Sequence, residues 1–90
     1  MATVIIPALL RSFTGGAERV AASGRNLREI INDLERRFPG ISAHLLDDGE
    51  LKGSVVASID GEAQTEAIQA PVKEDSEIFF LPAIGGGVES

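Results

Sequence analysis

Cysteine, tryptophan and tyrosine are all absent from these 90 residues, and methionine and histidine occur once each, as Met1 and His44. Without cysteine there is no disulfide framework and no thiol nucleophile, a composition compatible with the cytosol. Positive charge is short as well: 8 Lys and Arg stand against 14 Asp and Glu, giving a net charge of -6 and a pI near 4.6. That balance argues against a nucleic-acid backbone as partner. It suits a basic protein surface and aids solubility. No apolar run approaches the ~20 residues of a membrane span. The opening Met1-Ala2-Thr3-Val4-Ile5-Ile6-Pro7 has no basic stretch and no long apolar core, so no secretory signal is expected. A cytoplasmic domain that meets neither nucleic acid nor membrane is the expectation. The lone His44 supports no Ser/His/Asp set. No phosphate loop of the Gly-x-x-x-x-Gly-Lys-Ser/Thr type occurs, and Gly15-Gly16 reads as a hairpin turn.

What is present is one small domain's worth of alternating elements, with the ordinary hydrophobic fraction of 43%. Residues 3–10 read as a strand, β-branched at first and interrupted by Pro7, where an irregularity is expected because proline has no N–H. Thr14-Gly15-Gly16 supplies a turn, and residues 18–23 a second strand. The clearest element is a helix. Asn26 is its candidate cap, with Glu29 as the reciprocal partner of a capping box. Leu27, Ile30, Ile31, Leu34 and Phe38 then form one apolar stripe, while Arg28, Asn32, Asp33, Glu35 and Arg36 take the wet side. Arg36-Arg37 complements the helix dipole, and Pro39-Gly40 stops the ladder. Burying the stripe contributes roughly 1.5–3 kcal/mol per large side chain.

Residues 41–46 read as a short helical turn and residues 47–50 as a turn cluster. Residues 54–60 read as a third strand with Gly61-Glu62 as its turn, and residues 63–70 as an ambiguous segment that would suit a short edge strand. A polar turn over residues 73–76 leads to the last strand, residues 77–81. One helix among four or five strands favours an α+β fold, a mixed sheet packed on that helix in the β-grasp, or ubiquitin-like, order. The acidic groups Asp47-Asp48-Glu50 lack EF-hand spacing and read as a solvated turn.

Two features carry function. Alternation puts Ile78 and Phe80 on one side of the last strand and Phe79 and Leu81 on the other, while Ile5 opposes Val4 and Ile6. A single helix covers one face only, so Ile5, Phe79 and Leu81 are the candidates for an exposed docking patch. The second feature is the ending Leu81-Pro82-Ala83-Ile84-Gly85-Gly86-Gly87-Val88-Glu89-Ser90. Residues without Cβ make a narrow peptide that another protein's active site can accept. A domain over residues 1–82 followed by a flexible tail over 83–90 is the expected division.

These residues resemble the sulfur carriers of the ThiS/MoaD family. The likeness runs through Ile6-Pro7-Ala8-Leu9-Leu10-Arg11 with Thr14-Gly15-Gly16, through Leu27-Arg28-Glu29-Ile30 and Leu34-Glu35-Arg36-Arg37-Phe38-Pro39-Gly40, and through Glu77 to Gly87. Ser23-Gly24 and Gly40-Ile41-Ser42 are most similar to the CysO branch, which serves cysteine biosynthesis. The resemblance implies a protein cosubstrate, itself no enzyme and with no bound cofactor. Its terminal glycine carboxylate is adenylated by a ubiquitin-activating-type adenylyltransferase that uses ATP and magnesium, then converted to a thiocarboxylate that donates sulfur. Family tails run Pro-x-x-x-Gly-Gly, which from Pro82 sets the pair at Gly86-Gly87 and leaves Gly85 as a further threading residue.

The chain departs from the family in carrying Val88-Glu89-Ser90 after Gly87. Cleavage of the Gly87–Val88 bond by a JAMM-type metalloprotease is the expected repair. The favoured acceptor is a PLP-dependent, cysteine-synthase-like enzyme. The alternatives are a molybdopterin synthase large subunit, with this chain as the small subunit, or target lysines, with this chain as a ubiquitin-like modifier joined through Gly87.

Overall fold

The structure, a computed structural model, describes residues 1–64 and 68–82. Its strands are β1 (Ala2–Ile5), β2 (Arg19–Ala22), β3 (Leu46–Asp47), β4 (Glu50–Leu51), β5 (Val55–Ile59), β6 (Glu62–Gln64) and β7 (Glu77–Pro82), with helix α1 (Leu27–Arg37) between β2 and β3. Five strands join in one sheet of order β2-β1-β7-β5-β6. The last strand therefore lies at its centre, parallel to β1 and antiparallel to β5. A mixed five-stranded sheet on one main helix is the β-grasp arrangement that the element order favours.

Helix α1 covers the inner face. Leu27, Ile30, Ile31 and Leu34 lose all exposure against Val4, Ala22, Ala57 and Ile78 in one core. Its N-terminal N–H groups are all occupied. Asn26 Oδ1 accepts from Glu29 N at 2.9 Å, while Ala70 O and Ile68 O accept from Leu27 N and Arg28 N at 3.0 and 2.7 Å. Segment 68–72 thus straps the helix start, tasks that a side chain or water otherwise fills. The Glu29 carboxylate returns to Arg25 N at 2.8 Å, one residue before the cap.

Four expectations need correction. Residues 8–10 are not strand: the chain leaves β1 after Ile5 and coils as a 3-10 helix, Ala8–Thr14. Ile6 N still donates to Glu18 O at 2.8 Å, but Pro7 offers no N–H to continue the ladder, and Arg11 Nε takes Ile6 O at 3.1 Å. The hairpin turn is Asp60-Gly61 rather than Gly61-Glu62. Both turn residues have positive φ, 52° and 88°, the type I′ geometry that joins two strands tightly, and Glu62 already pairs with Ile59. The edge strand β6 spans Glu62–Gln64, and residues 68–70 lie in the strap instead.

Asp33, placed on the wet side from its helical position, is buried. The end of β2 overhangs it, so that Ser23 N donates to its Oδ2 at 3.0 Å while Arg36 and Arg37 close on the same carboxylate. Arg37 also donates to Ala21 O on the outer edge of β2.

That cluster has a pH signature. The Ser23 N–H first, then the two guanidinium groups, hold the Asp33 carboxyl below its ordinary value. The N–H groups of Gly40 and Ser42 do the same for Glu35. A carboxyl whose pKa is lower folded than unfolded stabilises the fold above its unfolded value. The contribution is lost as pH falls through the folded one. Melting temperature is expected to hold down to about pH 5 and to fall below about pH 4. Asp33→Asn should cost about 1–3 kcal/mol at neutral pH and flatten that acid limb. Thermal melts across the pH series read both effects.

Candidate functional site

The candidate site is the uncovered sheet face together with the end of β7. In β7, Ile78 and Phe80 face the core at 0% and 4% exposure, and Phe79 and Leu81 point outward at 36% and 46%. The register places Phe79 between Ile5 of β1 and Ser58 of β5, and Leu81 beside Val56. Ile5 is half-buried. Ile5, Phe79, Val56 and Leu81 form an apolar stretch that runs toward Pro82 and the residues beyond it. Arg19, cross-strand from Ile5, pairs with Glu77 at 3.6 Å and gives the stretch a charged border.

The start of β7 is pinned. Asp60 Oδ1 accepts from Glu77 N at 3.0 Å, and Asp60 N donates to Glu77 O at 2.9 Å. Asp60 Oδ2 accepts from the Ser76 hydroxyl at 2.8 Å, and Ser76 Oγ accepts in turn from Lys73 N at 2.9 Å. Ser76 O receives Thr3 N at 2.9 Å, which ties β1 to the same point. The Glu77 N–H, with the Ser76 hydroxyl, lowers the Asp60 carboxyl below its ordinary value. β7 is bonded to β1 over Glu77–Phe79 and to β5 over Ile78–Pro82, which with the anchored base makes it a firm stalk up to Pro82.

Ile5, Phe79 and Leu81, the three docking candidates, are brought together on this face. Gly85, Gly86, Gly87 and Val88 lie outside the described residues. Val56 and Ser58 join the face although sequence reasoning passed over them. Their signal is the alternation in Val55–Ile59, where Ala57 and Ile59 turn inward. The Asp60 pin was also missed, and its trace in the sequence is the Asp60-Gly61 dipeptide. Among the described residues, no group of three His, Asp or Glu side chains is placed to hold a metal ion. No helix among them is long and apolar enough to cross a membrane.

A mixed sheet clasping one helix, with its central last strand leading to a run of glycines, defines a ubiquitin-like β-grasp protein. More narrowly, the chain belongs to the ThiS family, whose model matches residues 4–87. It is 36% identical to the sulfur carrier protein CysO of Mycobacterium tuberculosis over 90 aligned residues, 94% of this chain and 97% of the relative. The fold is similar to CysO in the crystal structure of the Amycolatopsis orientalis BexX/CysO complex. There the TM-score is 0.89 at 36% identity, covering 97% of this chain and 100% of the other. Crystalline M. tuberculosis CysO matches with a TM-score of 0.87 at 34% identity over 92% and 99% of the two chains.

Proposed function

We propose that this chain is a sulfur-carrier protein, a cosubstrate whose working group is the C-terminal carboxyl of Gly87. The observation that carries the reading is its likeness to CysO sulfur carriers along nearly the whole chain, in sequence and in fold. The family match ends at residue 87, which supports Gly87 as the functional terminus and Val88-Glu89-Ser90 as residues to be removed.

A carboxylate is a poor electrophile. Attack of its oxygen on the α-phosphorus of ATP, with loss of pyrophosphate, gives an acyl-adenylate. Hydrosulfide, a donor at the oxidation level of the product, then displaces AMP from the acyl carbon and leaves the thiocarboxylate. The adenylyltransferase and its magnesium supply that chemistry, and the carrier supplies a firm stalk, a side-chain-free tail and a docking face. Ile5, Phe79 and Leu81 are that face, and Gly85 and Gly86 let the tail enter a narrow channel. A CysO crystallised with BexX supports docking of a carrier of this shape on a partner protein. The proposed acceptor is a PLP-dependent cysteine-synthase-like enzyme, and the proposed trimming enzyme a JAMM-type metalloprotease.

The reading is tested by ATP–pyrophosphate exchange with the ubiquitin-activating-type adenylyltransferase of the same organism. A chain ending at Gly87 should support exchange and the chain ending at Ser90 should not, because a peptide bond after Gly87 leaves no glycine carboxylate to activate. Equal exchange by the two chains contradicts the reading.

A further inference from the structure

We infer that Leu9 is a specificity-determining contact for the enzyme that activates the tail, an inference that rests on the carrier reading above. Leu9 is 91% exposed, more than Met1 at 63%, Leu81 at 46% or Phe79 at 36%. A single surface leucine is ordinary in itself. Three observations set this one apart.

The loop that bears it is stiff. Leu10 N donates to Pro7 O at 2.9 Å, Arg11 Nε to Ile6 O at 3.1 Å and Gly16 N to Arg11 O at 2.8 Å. The Thr14 hydroxyl reaches Ala17 O at 2.8 Å, and Arg11 pairs with Glu18 at 3.5 Å. Secondly, its neighbour Leu10 is buried at 7% exposure, so the inward position of this turn is filled and Leu9 is held away from the core. Thirdly, β1 and β7 are parallel, with Thr3 opposite Glu77 and Ile5 opposite Phe79. The loop after β1 therefore leaves the sheet at the same end as the chain beyond Pro82, next to the end of the apolar stretch at Leu81.

A partner that draws in the tail meets this end of the molecule first. A leucine already fixed in water offers apolar area at little ordering cost, which is how a preorganised contact gains affinity. Leu9 is flanked by the uncharged Ala8 and, one 3-10 turn on, Ser12. The matching feature on the enzyme is an apolar pocket beside its tail channel, which would separate this carrier from β-grasp proteins with a polar residue there.

The test uses the chain ending at Gly87, its Leu9→Ser and Leu9→Met variants, and Phe79→Ser, in the exchange assay with carrier concentration varied. Leu9→Ser should raise the KM for the carrier roughly tenfold or more at unchanged kcat and melting temperature. Leu9→Met, of similar volume, should restore the KM. An unchanged KM for Leu9→Ser while Phe79→Ser is impaired overturns the role of Leu9 and leaves the carrier reading standing. No exchange with the parent chain overturns both.

Discussion

Replacing Phe79 with serine is expected to lower kcat/KM for tail adenylation by roughly 30- to 700-fold, the effect of losing about 2–4 kcal/mol at an interface anchor. Among the described residues, Phe79 is the only aromatic side chain on the proposed docking face, and it sits between Ile5 and Ser58 at the middle of the sheet. Buried, well-framed aromatics near the centre of an interface dominate binding, while the charged rim sets rates of encounter. The fold should survive. Phe79 lies on the face away from α1 at 36% exposure, and a serine in its place forfeits about 1–2 kcal/mol of partial burial and strand preference, well short of unfolding the domain. The comparison is Phe80→Ala, one residue on but buried at 4% exposure, which should cost about 3–5 kcal/mol of stability. Melting curves and exchange kinetics on the two variants separate docking from folding. An unchanged kcat/KM in folded Phe79→Ser contradicts the assignment of the outer face.

The second large effect lies at the junction of β2 and α1. Gly24 passes so close to helix α1 that an added Cβ would stand 2.8 Å from both Glu29 Cβ and Ile30 N, and 2.9 Å from Glu29 C. Two of these three atoms are helix backbone, so the clash is relieved only by moving α1. The helix start is held by Asn26, by the 68–72 strap and by the Glu29–Arg25 bond, and cannot shift without loosening them. Gly24→Ala should therefore destabilise by about 2–3 kcal/mol, a fall of roughly 10–20 °C in melting temperature for a domain of this size. Gly53→Ala is the control, because nothing lies within 4 Å of a Cβ there. Equal melting temperatures for the two variants contradict the close packing of the β2–α1 junction.

Local signals account for what was legible. The helix showed itself through the stripe from Leu27 to Phe38 and through Asn26, because both act within a turn or two of chain. The outward pair Phe79 and Leu81 followed from period-two alternation, and Ile5 from the same rule applied to β1. Long-range partners account for what was not. Helical period alone cannot show that β2 ends over Asp33 and hands it the Ser23 N–H. The Asp60 pin joins groups 16 and 17 residues apart, and only the hairpin and the central place of β7 bring them together. Leu9 looked like a strand residue because Val4, Ile5 and Ile6 precede it. The coil that begins after Pro7 turns it outward, and that turn depends on Arg11 and Glu18 finding the chain around them.

Activation at Gly87 is read from the intact mass of this chain recovered from its native cell. The expected mass lacks Val88-Glu89-Ser90 and has one oxygen exchanged for sulfur. A chain that keeps residues 88–90 and its oxygen, in cells that hold the trimming and activating enzymes, would contradict activation at that residue.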